Sequence, residues 1–219
     1  YTFAIEGYGG TPFITTWKTD NAGTSNSTSI RIPTTGTGYN YDVDWNNDGT
    51  FDEFGLTGSV THNYGTAGTY TVAIRGSFPR IYFNNGGDKS KLLNVTQWGD
   101  IAWASMGYAF TGCNNLNVTA TDMPNFALVT DVSYMFSDCA NLSGPSNIGT
   151  WDVSGVITMA GMFNGAAIFN QNISGWDVRN VTNMSYMFAA TTLFNQNITG
   201  WNVGNVTNMS YMFYLARDF

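Results

Sequence analysis

The sequence predicts a β-rich chain in two parts. An N-terminal β-sandwich is expected over residues 1–88, and a C-terminal repeat solenoid, with one short strand and one short helix per coil, over 89–219. Three observations predict it. Residues up to about 85 fall into short alternating or β-branched runs separated by Gly, Asn, Asp or Thr, which is the grammar of a sandwich. From about residue 92 the chain repeats itself, with Trp151, Trp176 and Trp201 each 25 residues apart, and a period in the twenties marks stacked repeats. Charged residues make up only 11% of the 219, while 16% are aromatic and 25 are glycine; an average soluble domain is roughly 25% charged.

Taken in order, the expected strands are 29–32 (Ser-Ile-Arg-Ile), 39–45 (Tyr-Asn-Tyr-Asp-Val-Asp-Trp), 59–62 (Ser-Val-Thr-His) and 70–74 (Tyr-Thr-Val-Ala-Ile). The repeats follow. A residue 12 positions after an anchor is Phe five times: Trp98 to Phe110, Pro124 to Phe136, Trp151 to Phe163, Trp176 to Phe188 and Trp201 to Phe213. Eight after the anchor stand Met106, Val132, Met159, Met184 and Met209. Seven after it stand Ser105, Asp131, Thr158, Asn183 and Asn208, every one a favoured helix N-cap. Met184, Met187 and Phe188 then share one helical face, so a short helix is expected after each cap and a strand before each anchor. The array stops in mid-repeat at Phe219 and the sequence opens at Tyr1 without an initiator Met. A longer parent chain is therefore expected, with any signal peptide already removed or lying outside this stretch.

Two resemblances rest on these residues. The segment 41–49 (Tyr-Asp-Val-Asp-Trp-Asn-Asn-Asp-Gly) with 61–72 (Thr-His-Asn-Tyr-Gly-Thr-Ala-Gly-Thr-Tyr-Thr-Val) resembles a PKD-type domain, departing from that family by an Asn-Asn-Asp insertion in its first turn. The motif Trp-Asp-Val-x-Asn-Val-Thr-Asn-Met-Ser-Tyr-Met-Phe at 176–188, copied at 201–213, resembles the BspA-like leucine-rich-repeat bacterial surface proteins. Together they imply an Ig/PKD-like sandwich, a leucine-rich-repeat-type solenoid of about five repeats, a secreted or cell-surface location and adhesive work. They imply no reaction.

The sharpest chemical candidate is Asp44, Asn46, Asp48, Thr50, Asp52 and Glu53. Oxygen-bearing residues at alternate positions followed by Gly49 match the opening of a calcium loop, although Gly55 stands where a full EF-hand has its bidentate Glu. With Asp42, five acids lie in twelve residues with no base among them, and a cation would relieve their repulsion. Structural Ca2+ is favoured; the competing reading is an Asx-rich hairpin turn. Tyr108, Tyr134, Tyr186 and Tyr211, two residues before four of the Phe anchors and interrupted by Gly161, form a tentative ligand-binding ridge. The competing reading, favoured on residue statistics, is tyrosines that merely cover the gap between coils. The Trp column is read as core rather than a sugar platform. Cys113 and Cys139 occupy equivalent positions in adjacent repeats; buried free thiols are favoured over a disulfide. Asn in fixed columns is expected to form hydrogen-bond ladders between coils, which makes the Asn-x-Ser/Thr triplets weak evidence for glycosylation.

Function classes narrow accordingly. Eight bases against fifteen acids give a net charge of −7, which opposes nucleic acid and anionic membrane surfaces. One histidine, His62, and no phosphate loop or metal-spaced cysteines point away from an enzyme. The expected work is adhesion or display toward a host, matrix or neighbouring-cell protein or glycan. The alternative is a self-assembling surface or filament subunit, and self-association or contact with secretion or anchoring machinery is the further partner class.

Overall fold

The computed structural model describes residues 10–219. Eight strands form: β1 (Phe13–Lys18), β2 (Ser29–Ile32), β3 (Asn40–Asp44), β4 (Glu53–Leu56), β5 (Val60–Asn63), β6 (Thr69–Ser77), β7 (Leu92–Gln97) and β8 (Asn117–Val118). Six of them make one sheet in the order β4-β3-β6-β1-β7-β8, and β2 pairs with β5 in a second. β6 sits inside the larger sheet, antiparallel to β1 and β3. Alternation explains β1: Phe13, Thr15 and Trp17 point inward while Ile14, Thr16 and Lys18 are only partly covered, as a pleated strand with one core face requires. β7 pairs antiparallel with β1, and β8 joins β7 in parallel, so the sheet carries on past residue 88 into the repeats. Gly99 makes the join possible. Its φ is +63°, and a side chain there would overlap the main chain of Thr11 and Pro12.

The repeats are built from turns. The N-cap column does its capping: Asp131, Asn183 and Asn208 accept the N–H of the residue two ahead, Ser133, Ser185 and Ser210, at 2.8–3.0 Å. No helix follows, because three residues past each cap the backbone turns left-handed. Tyr108, Tyr134, Gly161, Tyr186 and Tyr211 all have φ between 53° and 59°. Four residues further on, Gly112, Asp138, Gly165, Ala190 and Leu215 do so again. An α-helix of L-residues cannot pass through such a position.

The hydrogen bonds divide accordingly. Every second N–H reaches the next repeat: Met184 to Asn208, Tyr186 to Ser210, Phe188 to Met212 and Ala190 to Tyr214, all at 2.7–2.9 Å. The N–H groups between them, of Met187, Ala189 and Thr191, bond back three residues to Met184, Tyr186 and Phe188. The cap column itself forms single parallel bridges, Asp131 to Thr158 to Asn183 to Asn208.

These findings correct the expected fold class. The leucine-rich-repeat-type solenoid with one strand and one helix per coil is not what the chain builds. Strands collect in the sheet of the first 118 residues, and the only helical element among the described residues is one 3-10 turn, Ile148–Thr150. The Ig/PKD-like sandwich standing before a separate solenoid is corrected with it, since β7 and β8 add repeat-side residues to the same sheet.

One continuous core runs from Phe13 to Met212. Within the repeats its centre is a column of stacked rings, Phe110, Phe136, Phe163, Phe188 and Phe213, with centroids 5.5–5.9 Å apart. A second column, Phe169, Phe194 and Phe219, lies 4.0 Å from the first at each level. The Asn columns work differently from the expected ladders. Asn172 and Asn197 hold the N–H two residues ahead, while the amides of Asn180 and Asn205 donate to main-chain oxygens of Ser154 and Arg179 in the preceding repeat.

Candidate functional site

In the acidic loop Asp44, Asp48, Asp52 and Glu53 each accept at least one local N–H. Asp44 is buried; its Oδ2 accepts from Gly49 N at 2.9 Å, and its Oδ1 from Asn46 N and Asp48 N. Asp48 Oδ1 accepts from Thr50 N at 2.8 Å, which holds the Asp48 carboxyl below its ordinary range, with the Asn46 amide helping. Asp52 accepts from Trp45 N, and Glu53 from the Trp45 indole. Asn47 and Gly49 supply the two left-handed residues of the turn, at φ 55° and 91°. Among the described residues no three acidic, histidine or cysteine side chains converge on a point where a metal ion would sit. The base that the local sequence lacks comes from β6: Arg75 Nε donates to Asp42 at 3.0 Å, and its guanidinium lies over the Phe51 ring.

The tyrosines form two short stacks on the outside of the repeats. Tyr108 and Tyr134 lie 5.1 Å apart with ring planes 15° from parallel, and Tyr186 and Tyr211 lie 5.0 Å apart at 17°. The first two are half-buried, whereas Tyr186 is 37% and Tyr211 58% exposed. At the break, Gly161 has no side chain, and the Tyr134 ring leans over the place where one would start. Each tyrosine sits in the left-handed region, which costs a non-glycine residue on the order of 1–2 kcal/mol. Gly161 shows that the backbone at this position can be made with glycine. The tryptophan column is core: Trp98, Trp151, Trp176 and Trp201 are all buried. The indoles of Trp176 and Trp201 donate to the main-chain oxygens of Ile148 and Ile173.

Residues 104–219 match the family described as Mycoplasma protein of unknown function, DUF285. That segment is 116 of the 219 residues. The chain belongs to this family. No curated protein and no solved structure matches. The match upholds the BspA-like likeness; what is corrected is the leucine-rich-repeat solenoid with a PKD-like domain, whose implied strand and helix per coil are missing from the repeats. The DUF285 segment contains all four stacked tyrosines and both cysteines. Cys113 and Cys139 are free and buried, and burial pushes both thiols up. Cys139 Sγ donates to Phe110 O, as Thr191 Oγ1 does to Phe163 O two repeats later, while Ala166 and Ala216 stand at the same column position, so the column takes small side chains.

Outside the DUF285 segment, His62 stacks on Trp45 at 4.7 Å and meets Tyr64 edge-on. Burial lowers its pKa below 6.5, against the upward pull of Glu53 and Asp52. A lowered pKa in the fold means protonation favours unfolding, so stability is complete above pH 6.5 and is lost as pH falls through the lowered value. A shallow fall of the melting midpoint between pH 7 and pH 5 is expected, and it should vanish in His62→Phe, which keeps the stacking and loses the titration.

Sequence reasoning missed one feature, a buried polar knot that ties residues 24–31 to 88–91. Lys91 is fully buried, and its ammonium donates to the main-chain oxygens of Ser25, Asn26 and Ser29 and to Ser25 Oγ at 2.7–3.1 Å. Asp88, 1% exposed, accepts from the N–H groups of Thr24, Ser25 and Arg31 and from Ser25 Oγ. Burial raises the Asp88 carboxyl, but Ser25, Lys91 and Arg31 outweigh it and hold it low. The signal was present in one form: a lysine inside an otherwise charge-poor chain, three residues after an aspartate.

Proposed function

We propose that the chain is a secreted or cell-surface protein for adhesion or ligand display, which binds protein or glycan through the tyrosine face of its DUF285 repeats and performs no catalysis. The partner is a host, matrix or neighbouring-cell molecule. The observation that carries the reading is the left-handed tyrosine. Four of five repeats place a large aromatic ring where glycine would be less strained, and the rings stand stacked and outward. Strain held at such a position argues for a role of the side chain itself. Flat, half-exposed rings with hydroxyl tips suit sugars and protein surfaces, where aromatic groups supply contact area at low entropic cost.

An array of glycans and matrix proteins probed with the intact chain tests this. A specific signal is expected, weakened at least tenfold by Tyr186→Gly together with Tyr211→Gly, since Gly keeps the left-handed backbone. A signal unaffected by the pair removes the tyrosines from the site.

Calcium at Asp44, Asn46, Asp48, Thr50, Asp52 and Glu53 belongs to the same proposal as a brace for the loop. Asp44, Asp48, Asp52 and Glu53 crowd one short turn, and the exposed Asn46, Asp48 and Thr50 oxygens keep free lone pairs. Titration of metal-stripped protein should release or absorb heat and raise the melting midpoint by a few degrees, an effect lost in Asp48→Asn. No heat and an unchanged midpoint take calcium out of the account.

A further inference from the structure

The first two repeats are longer than the later ones at one place. From the Phe of a repeat to the next anchor takes 14 positions at Phe110–Pro124 and 15 at Phe136–Trp151, against 13 at Phe163–Trp176 and Phe188–Trp201. Where the segments are equal in length they bond directly, with Asn170 Oδ1 accepting Asn195 N at 2.9 Å and the Gln196 amide at 2.8 Å. Asn117, the counterpart of Asn170, begins the same joint by accepting the N–H groups of Ser143 and Gly144 at 3.1 Å. Gly144, at φ 78° and backed by the Phe169 ring, then lets the longer segment turn away. Asn147 ties it back, its amide donating to Thr121 O at 2.9 Å. Between these two ties no main-chain hydrogen bond joins the segments, and a hollow of about 310 Å³ lies there.

The lining specifies the ligand. Val118, Ala120 and Pro145 give it a buried apolar floor, and Thr119, Thr121 and Ser146 give it exposed hydroxyls. Among the described residues no charged side chain lines it. Asp122, next to the wall, turns its carboxylate onto the N–H groups of Trp98 and Gly99 instead. In the wall, Asn147 Oδ1 is the one buried side-chain oxygen of the described residues that has no donor. A buried acceptor left unpaired is costly, and a hydroxyl donated from the hollow satisfies it. We propose that this hollow binds one ring of a neutral sugar, with ring C–H groups on the apolar floor and hydroxyls among Thr119, Thr121, Ser146 and Asn147. The volume stands at the small end of ligand sites, roughly 300–1,000 Å³, which suits a single ring. A charged ligand finds no counter-charge there, and desolvating it unpaired is unfavourable. A peptide needs main-chain partners, but the N–H groups of Thr119 and Ala120 are already bonded to Val95 O. The site shares no residue with the tyrosine stacks, so neither proposal depends on the other.

The probes are glucose, galactose, mannose and N-acetylglucosamine, titrated into the isotope-labelled full chain while its amide resonances are followed. At least one of them should give saturable one-to-one shifts centred on the amides of Thr119, Thr121, Ser146 and Asn147. Glucuronic acid and glucosamine, which add a charge to the same ring, should bind at least about tenfold more weakly. Ser146→Trp, on an exposed residue, should fill the hollow and abolish the shifts. Thr121→Val keeps the side-chain shape, removes one hydroxyl and should weaken binding about threefold or more. Tyr186→Gly with Tyr211→Gly should leave the shifts unchanged. The proposal is overturned if none of the neutral sugars moves those amides, or if the charged sugars bind as tightly. It is equally overturned if binding survives both Ser146→Trp and Thr121→Val, or is lost with the two tyrosines.

Discussion

Lys91→Met is expected to destabilise the fold by about 3–5 kcal/mol, because it removes one of two buried opposite charges that share the Ser25 hydroxyl. In a chain of this size that corresponds to a fall of roughly 6–20 °C in the melting midpoint. Three main-chain oxygens, of Ser25, Asn26 and Ser29, lose the ammonium donor, and Asp88 is left as a buried carboxylate without the nearby positive charge. Arginine should not rescue the loss. The pocket is tight enough that a side chain at Gly23 would come within 2.7 Å of Lys91 Cε. Combining Lys91→Met with Asp88→Asn should recover only part of it, because the main-chain groups that the two residues satisfied stay buried. Thermal unfolding of the single and double variants checks both statements. A double variant as stable as the natural chain would show that the knot is held by packing rather than by charge.

The second large effect is in the ring column. Phe163 is fully buried and stacks on Phe136, Phe169 and Phe188. Phe163→Ala should cost about 3–5 kcal/mol through lost burial and the cavity it leaves. The same substitution at Phe213, half-buried on the outer face, should cost less than about 1.5 kcal/mol, since water already reaches part of the ring. Denaturant unfolding of the two variants measures the contrast. Equal losses would mean that the last repeat is as firmly packed as the third.

Much of the local arrangement was legible in the sequence, and the reasons for the failures are specific. The Phe register at 110, 136, 163, 188 and 213 was readable because one buried column tolerates one kind of residue. The capping residues were readable too, and Asp131, Asn183 and Asn208 make the bonds expected of them. The helix inferred after them failed at two left-handed residues per repeat, the first of them tyrosine in four repeats of five. Tyrosine carries no sequence mark of a left-handed backbone, and the hints were Gly161 standing in its column and Gly112 and Gly165 in the column four residues on. The strand expected before each anchor failed because the inter-repeat bonds are made after the caps, by alternate N–H groups of turns. At the candidate site the acidic spacing was legible, but its neutralising Arg75 was not, lying 33 residues from Asp42 in the chain. The Lys91 knot was hidden for the same reason: its acceptors are more than 60 residues away.

The central claim is that the stacked tyrosines serve recognition rather than stability, and the double variant Tyr186→Gly, Tyr211→Gly separates the two. Glycine removes two exposed rings and also relieves two left-handed positions, so the losses and gains in the fold should nearly cancel. Melting and ligand binding measured on the same preparation decide it. The account predicts a midpoint within about 3 °C of the natural chain, given the few degrees that 1 kcal/mol moves a chain of this size, with binding reduced at least tenfold. A midpoint that drops steeply while binding persists would contradict it and make the tyrosines part of the packing.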